Sequence, residues 1–196
     1  MNEAQIFALG VTLAWLAGIR AYLTVFGLGL AGALGWLELP GSLALCQSPW
    51  VLGVSGLLAA VEFATDKIPG VDSAWDLLQT VLRVPVGAFL ASAALSGPDE
   101  GLSLGWAVAG GGAALLSHLL KSGTRGLINT SPEPISNVVT SAGEDTLALG
   151  TLALVFAHPW LALLLVLAVT LGGALLVWWL ARHLWRWGKR ATLKSP

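Results

Sequence analysis

Several charged and polar side chains recur at helical spacing inside stretches that are otherwise apolar. Glu62 and Asp66 stand four residues apart and share one helix face, with Lys67 next to them. Asn137, Ser141 and Glu144 follow i, i+4, i+7, with Asp145 adjoining, and form a polar stripe. Such a set offers only oxygen ligands, which suits protons or hard cations better than zinc or copper. If a metal ion binds, Glu62, Asp66 and Glu144 are the side chains to hold it. Arg20 and Arg83 stand alone in apolar runs, as counter-charges to these acids. A second pattern is basic. His118, Lys121 and Arg125 follow i, i+3, i+7, and with Lys67 they make an anion-binding set suited to phosphate. Each pattern also has an ordinary reading. The charges could be buried ion pairs that lock helices, with Glu62 snorkelling to water. Asn137 and Ser141 could bond neighbouring helices, and the basic face could touch lipid headgroups.

The elements that must position these groups are membrane helices. Hydrophobic residues make up 56% of the 196 positions and charged residues only 11%, with a mean hydropathy of +0.78. Soluble domains carry roughly twice that charge share, so lipid is the expected solvent. A crossing needs about 20 apolar residues. The expected spans are Ile6 to Leu37 (one long helix, or two pieces broken at Gly18), Ser48 to Thr65, the stretch from Asp72 or Ser73 to Leu95, Leu104 to Leu120, the run after Pro134 to Ala157, and Pro159 to Trp185. That gives an all-α polytopic protein with six transmembrane helices, a single domain over residues 1–188 and a basic cytoplasmic tail over 189–196. With both termini cytoplasmic, Lys67, Lys121, Arg125 and the five basic residues from Arg182 onward all fall inside, as the positive-inside rule asks. Met1–Gln5 carries Glu3 and no basic residue, unlike the start of a cleaved signal peptide. An internal echo pairs Gly18-Ile19-Arg20 and Pro49-Trp50 with Gly123-Thr124-Arg125 and Pro159-Trp160.

Depth follows from about 1.5 Å of rise per residue. On that scale Glu144, Asp145, Arg83 and Arg20 share a layer near the bilayer centre. Three deep acids (Glu62, Glu144, Asp145) then outnumber two deep bases (Arg20, Arg83), and an unmatched acid takes up a proton or binds a cation. Asp72 and Asp76, one turn apart, read as helix-start caps, and Gly110-Gly111-Gly112 as close helix packing. The single cysteine, Cys46, excludes a disulfide framework. No glycine-rich phosphate loop and no nucleophile elbow is present, so neither an enzyme nor a cofactor is expected. A net charge of -1 speaks against a nucleic-acid partner.

Glu62-Phe63-Ala64-Thr65-Asp66-Lys67-Ile68-Pro69-Gly70-Val71-Asp72, with Trp75-Asp76, resembles the signature of an uncharacterised bacterial membrane family, the domain of unknown function 4126. So do His118-x-x-Lys121-x-x-x-Arg125, Ser131-Pro132-Glu133-Pro134-Ile135-Ser136-Asn137, and Ser141 with Glu144-Asp145. The resemblance runs over nearly the whole chain and implies a multi-span helical fold without a reaction. Taken together, these readings point to a small inner-membrane transporter or channel for a cation or protons, with Glu62, Asp66, Asn137, Ser141, Glu144 and Asp145 as binding groups. The alternatives are binding or translocation of an anionic, phosphate-bearing lipid or metabolite, and a membrane scaffold. Its partners would be the lipid bilayer and, to enclose a path at 20.3 kDa, a second copy of the chain.

Overall fold

The computed structural model describes residues 1–39, 41–68, 71–97, 101–128 and 134–192. Six α-helices and a short 3-10 helix (Gly41–Gln47) make up the fold: α1 (Glu3–Ala33), α2 (Pro49–Thr65), α3 (Val71–Leu95), α4 (Leu104–Ile128), α5 (Pro134–Ala157) and α6 (Pro159–Thr192). Local chemistry sets their starts. Asn2 caps α1 in a reciprocal capping box with Gln5. Proline opens α2, α5 and α6 at the first helical turn, where its missing N–H costs nothing. Pro69-Gly70, the Pro98-Asp99-Glu100 turn, Ser131-Pro132-Glu133 and residues 193–196 of the tail lie outside the described residues.

α1 is not one straight rod. Arg20 sits inside it with non-helical backbone (φ -144°, ψ 78°), and the neighbours of the two arms show that the chain folds back there. At the start of α1, Glu3, Ile6 and Phe7 border a cavity with Gly41, Leu95, Ser96 and Trp106, and Gln5 borders another with Ala157, His158 and Trp160. Further along, Gly18 presses on Ala114 and Ser117 of α4, and Arg20 reaches Asp66, just past the end of α2. After the break the order reverses. Gly27 meets Leu152, and Gly29 meets Cys46 and Leu52, back towards the end of the bundle from which α1 set out. Residues 3–19 therefore run down alongside α4, and residues 21–33 run up alongside α5.

This overturns two sequence expectations. The start of α1 lies at the end of the bundle that holds Leu95–Gly97 and the α5–α6 junction at His158, opposite the far end of α6, so the two ends of the described chain are not on one side. Nor do six separate helices qualify as spans by length and hydropathy. Among the described residues, four helices are long and apolar enough to cross a bilayer (Glu3–Ala33, Trp75–Leu95, Val138–Ala157, Pro159–Trp179), and a fifth follows if the 3-10 helix and α2, bent by 67°, count together. α4 is diluted by its glycines and by His118 and Lys121.

Close backbone approach makes the tight turn-back packable. A methyl on Gly18 would overlap the Ala114 carbonyl and the Ser117 hydroxyl, so α1 touches α4 with no side chain between them. Gly110 of α4 packs against the Gly87 backbone of α3, while Gly112 faces open space, so only part of the glycine triplet serves packing. Leu9, Leu13, Leu16, Leu28, Leu90, Val155 and Val166 fill the core around α1. The internal echo marks equivalent turns. In each half a descending helix reaches the arginine, an ascending helix follows, and Pro-Trp opens the next descent.

Candidate functional site

The break in α1 delivers Arg20 into a polar cluster formed by the C-terminal ends of α2 and α4, the first half of α3 and the middle of α5. Asp66, buried just past α2, is the hub. One of its carboxylate oxygens, Oδ2, takes Arg20 Nη1, Lys121 Nζ at 3.0 Å and Arg125 Nη2 at 3.4 Å. Its backbone carbonyl also accepts from Arg125 Nη1 at 3.1 Å. Arg20 continues to Asp145 (2.6 Å) and Glu144 (3.8 Å) and donates to the buried Ser141 hydroxyl at 3.5 Å. Arg125 grips Glu144 through two nitrogens, at 2.9 and 2.6 Å, the forked geometry that favours arginine over lysine. Lys121 bridges Asp66, Asp76 (3.2 Å) and Glu144 (3.4 Å), and it also donates to the Ile19 carbonyl at 3.3 Å beside the helix break.

A second lobe lies on α3. Arg83 binds Glu62 at 2.8 Å and Asp76 at 3.0 Å, and its Nε donates to Gln79 at 2.9 Å. Its Nη1 also meets His118 Nδ1 at 2.8 Å. Arginine can only donate, so Nδ1 accepts, and the ring is neutral with its proton on Nε2. That proton goes to the Thr80 hydroxyl at 2.7 Å, and Thr80 donates in turn to the Asp76 carbonyl. Lys67 closes the rim. It pairs with Asp145 at 3.1 Å and lies over the Phe63 ring.

Among the described residues, ten charged side chains thus form one connected network. Five are acids (Glu62, Asp66, Asp76, Glu144, Asp145) and five are bases (Arg20, Lys67, Arg83, Lys121, Arg125), so its net charge is zero. The expected surplus of buried acid is therefore absent, because Lys121 and Arg125 turn inward instead of meeting headgroups. The Lys121 side chain is 0% exposed. Arg83 pairs with Glu62 and Asp76 rather than with Glu144 and Asp145. Lys67 pairs with Asp145, not Asp66. Of the expected site, Glu62, Asp66, Ser141, Glu144 and Asp145 come together, and the Asn137 side chain lies outside the described residues. No group of three acidic, histidine or cysteine side chains placed to hold a metal ion occurs among the described residues.

Sequence reasoning passed over Asp76 and Gln79. The signal was there, since Asp76, Gln79 and Arg83 follow i, i+3, i+7 along α3. An acid near the start of a helix has a ready role as a partner of the helix dipole, and that role masks the longer pattern. Charges buried this way are retained at a cost of several kcal/mol each unless every one is paired. The pairing here draws on five separate segments, which ties the helices into one unit around the break in α1.

No curated protein and no solved structure matches the chain. The family model described as Domain of unknown function (DUF4126) matches residues 7–182, nearly the whole helical bundle, and the chain belongs to that family.

Proposed function

We propose that the protein is a small multi-pass transporter or channel of the inner membrane, moving protons or a small cation through the charged network. α2 to α6 would cross the bilayer, with α1 entering and leaving on the outer side. The positive-inside rule then places the basic end of α6 and Lys67 in the cytoplasm. The observation that carries the reading is the break at Arg20. Non-helical backbone at membrane depth is tolerated where it is buried in protein or lines a polar cavity, and interrupted helices are a recurring device of ion sites in transporters. Here the break carries a buried arginine bonded to two acids, and the Ile19 carbonyl beside it is turned to Lys121. The repeated path of the two halves fits the internal duplication common in such proteins.

The test is flux from proteoliposomes under an imposed gradient, followed with a pH-sensitive dye and with Na⁺ and K⁺ indicators. Flux above that of empty vesicles, lost in Arg20→Gln, is expected. No movement of any of the three ions would overturn the proposal. A second reading, recognition of an anionic phosphate group, is favoured by a groove of about 390 Å³ lined by Thr80, His118, Ser122 and Arg125. Stabilisation by phosphate-bearing lipid that Ser122→Leu abolishes would support it.

A further inference from the structure

Between the second arm of α1, α2 and α5 lies a small cavity of about 80 Å³, walled by Arg20, Leu23, Ala59, Glu62, Phe63, Asp145 and Leu149. Two of its wall residues carry polar atoms without a partner among the described residues: Glu62 Oε2, an acceptor, and Arg20 Nε, a donor. Glu62 is 1% exposed and Arg20 2%. An acceptor and a donor left unsatisfied at such depth each cost about 1–3 kcal/mol, which a shared water would recover. At roughly 30 Å³ per molecule, the space suits two or three waters. Such a water would accept from Arg20 Nε–H and donate to Glu62 Oε2. Asp145 walls the same cavity, so both carboxylates border it.

The same geometry disfavours a metal cation at this spot, because the Arg20 guanidinium forms part of the wall. A proton is different. Glu62 uses Oε1 to accept from Arg83, so a proton can join Oε2 while that hydrogen bond is kept, and Asp76 remains as the charged partner of Arg83. The charged and titratable groups around Glu62 are Arg83 from α3, Lys121 from α4, Arg20 and Tyr22 from α1, Asp145 from α5 across the cavity, and Asp66 at the end of its own helix. Asp145 in turn touches Lys67, whose side chain is 29% exposed.

We propose that Glu62 is the proton-binding group of this protein, and that water in the cavity beside it passes the proton to Asp145. The step balances. Glu62 gives its proton to the water oxygen, and that water releases one of its own protons to Asp145, from which Lys67 marks the way to the cytoplasmic rim. The inference rests on the transport reading above and narrows it from cations in general to the proton.

Proteoliposomes carrying wild type, Glu62→Gln and Ala59→Leu test it, with melting temperatures recorded alongside. Ala59→Leu fills the cavity and leaves every charged side chain of the network in the sequence. Proton flux in wild type that falls at least tenfold in both variants, with Ala59→Leu melting as wild type does, is the expected result. An infrared carbonyl band from a protonated carboxyl group should appear on acidification of wild type and of Ala59→Leu and be missing in Glu62→Gln. Should Glu62→Gln fail to fold, Ala59→Leu and the wild-type band still decide. Proton flux undiminished in Ala59→Leu would overturn the water-filled route while leaving the transport reading intact. Na⁺ or K⁺ flux without proton flux would do the same. The absence of all flux would remove the transport reading, and this inference with it.

Discussion

At the scale of single residues, the strength of the site comes from redundancy. Asp66 takes three cations on one oxygen, and Lys121 reaches three acids. Arg20 is the member that ties the break in α1 to both Asp66 at the end of α2 and Asp145 in the middle of α5. Arg20→Ala leaves Asp145 with Lys67 alone, at the partly exposed rim. A buried pair broken on one side typically costs ~3–5 kcal/mol, so the variant should melt well below wild type in detergent. Removing both partners strands less charge. Arg20→Ala combined with Asp145→Ala should therefore lose less than the two single losses added, by about 0.5–3 kcal/mol. Strictly additive losses would mean that Arg20 and Asp145 do not meet.

Elements tell a different story, one of close approach. α1, α3 and α4 touch through glycines, and the contacts discriminate sharply between positions in one triplet. A Cβ on Gly110 would meet Ala91 and the Gly87 carbonyl, whereas a Cβ on Gly112 meets nothing. Gly110→Ala should destabilise by about 1–3 kcal/mol through overpacking. Gly112→Ala should be neutral or stabilise by roughly 0.5–1 kcal/mol, since alanine is the better helix former. Equal melting temperatures for the two variants would argue against the α3–α4 contact. The helices themselves were legible in the sequence, because the prolines and apolar runs that bound them act locally. The reversal at Arg20 was not. Hydropathy has no direction, and the partners that make a break tolerable, Asp66, Lys121 and Asp145, lie 46 to 125 positions further along. The inward turn of Lys121 and Arg125 was hidden for a similar reason. Basic residues near a cytoplasmic helix end satisfy the positive-inside rule whichever way they face. The acids of the site were legible because carboxylates within an apolar run call for an explanation wherever they point.

For the whole molecule, the fold-back of α1 sets which end of the bundle holds the N-terminus and why, among the described residues, five bases meet five acids around one break. It carries a topological consequence that a single labelling experiment reads directly. In a background where Cys46 is replaced by serine, single cysteines are placed by Asn2→Cys, Gly101→Cys and Thr192→Cys and treated in intact cells with a reagent that cannot cross the membrane. A chain that reverses at Arg20 puts Asn2 beside the α3–α4 turn, so N2C and G101C should both react from outside, and T192C only after permeabilisation. Reaction of G101C alone, with N2C and T192C both waiting for permeabilisation, would contradict the fold-back and restore a first helix that crosses the membrane.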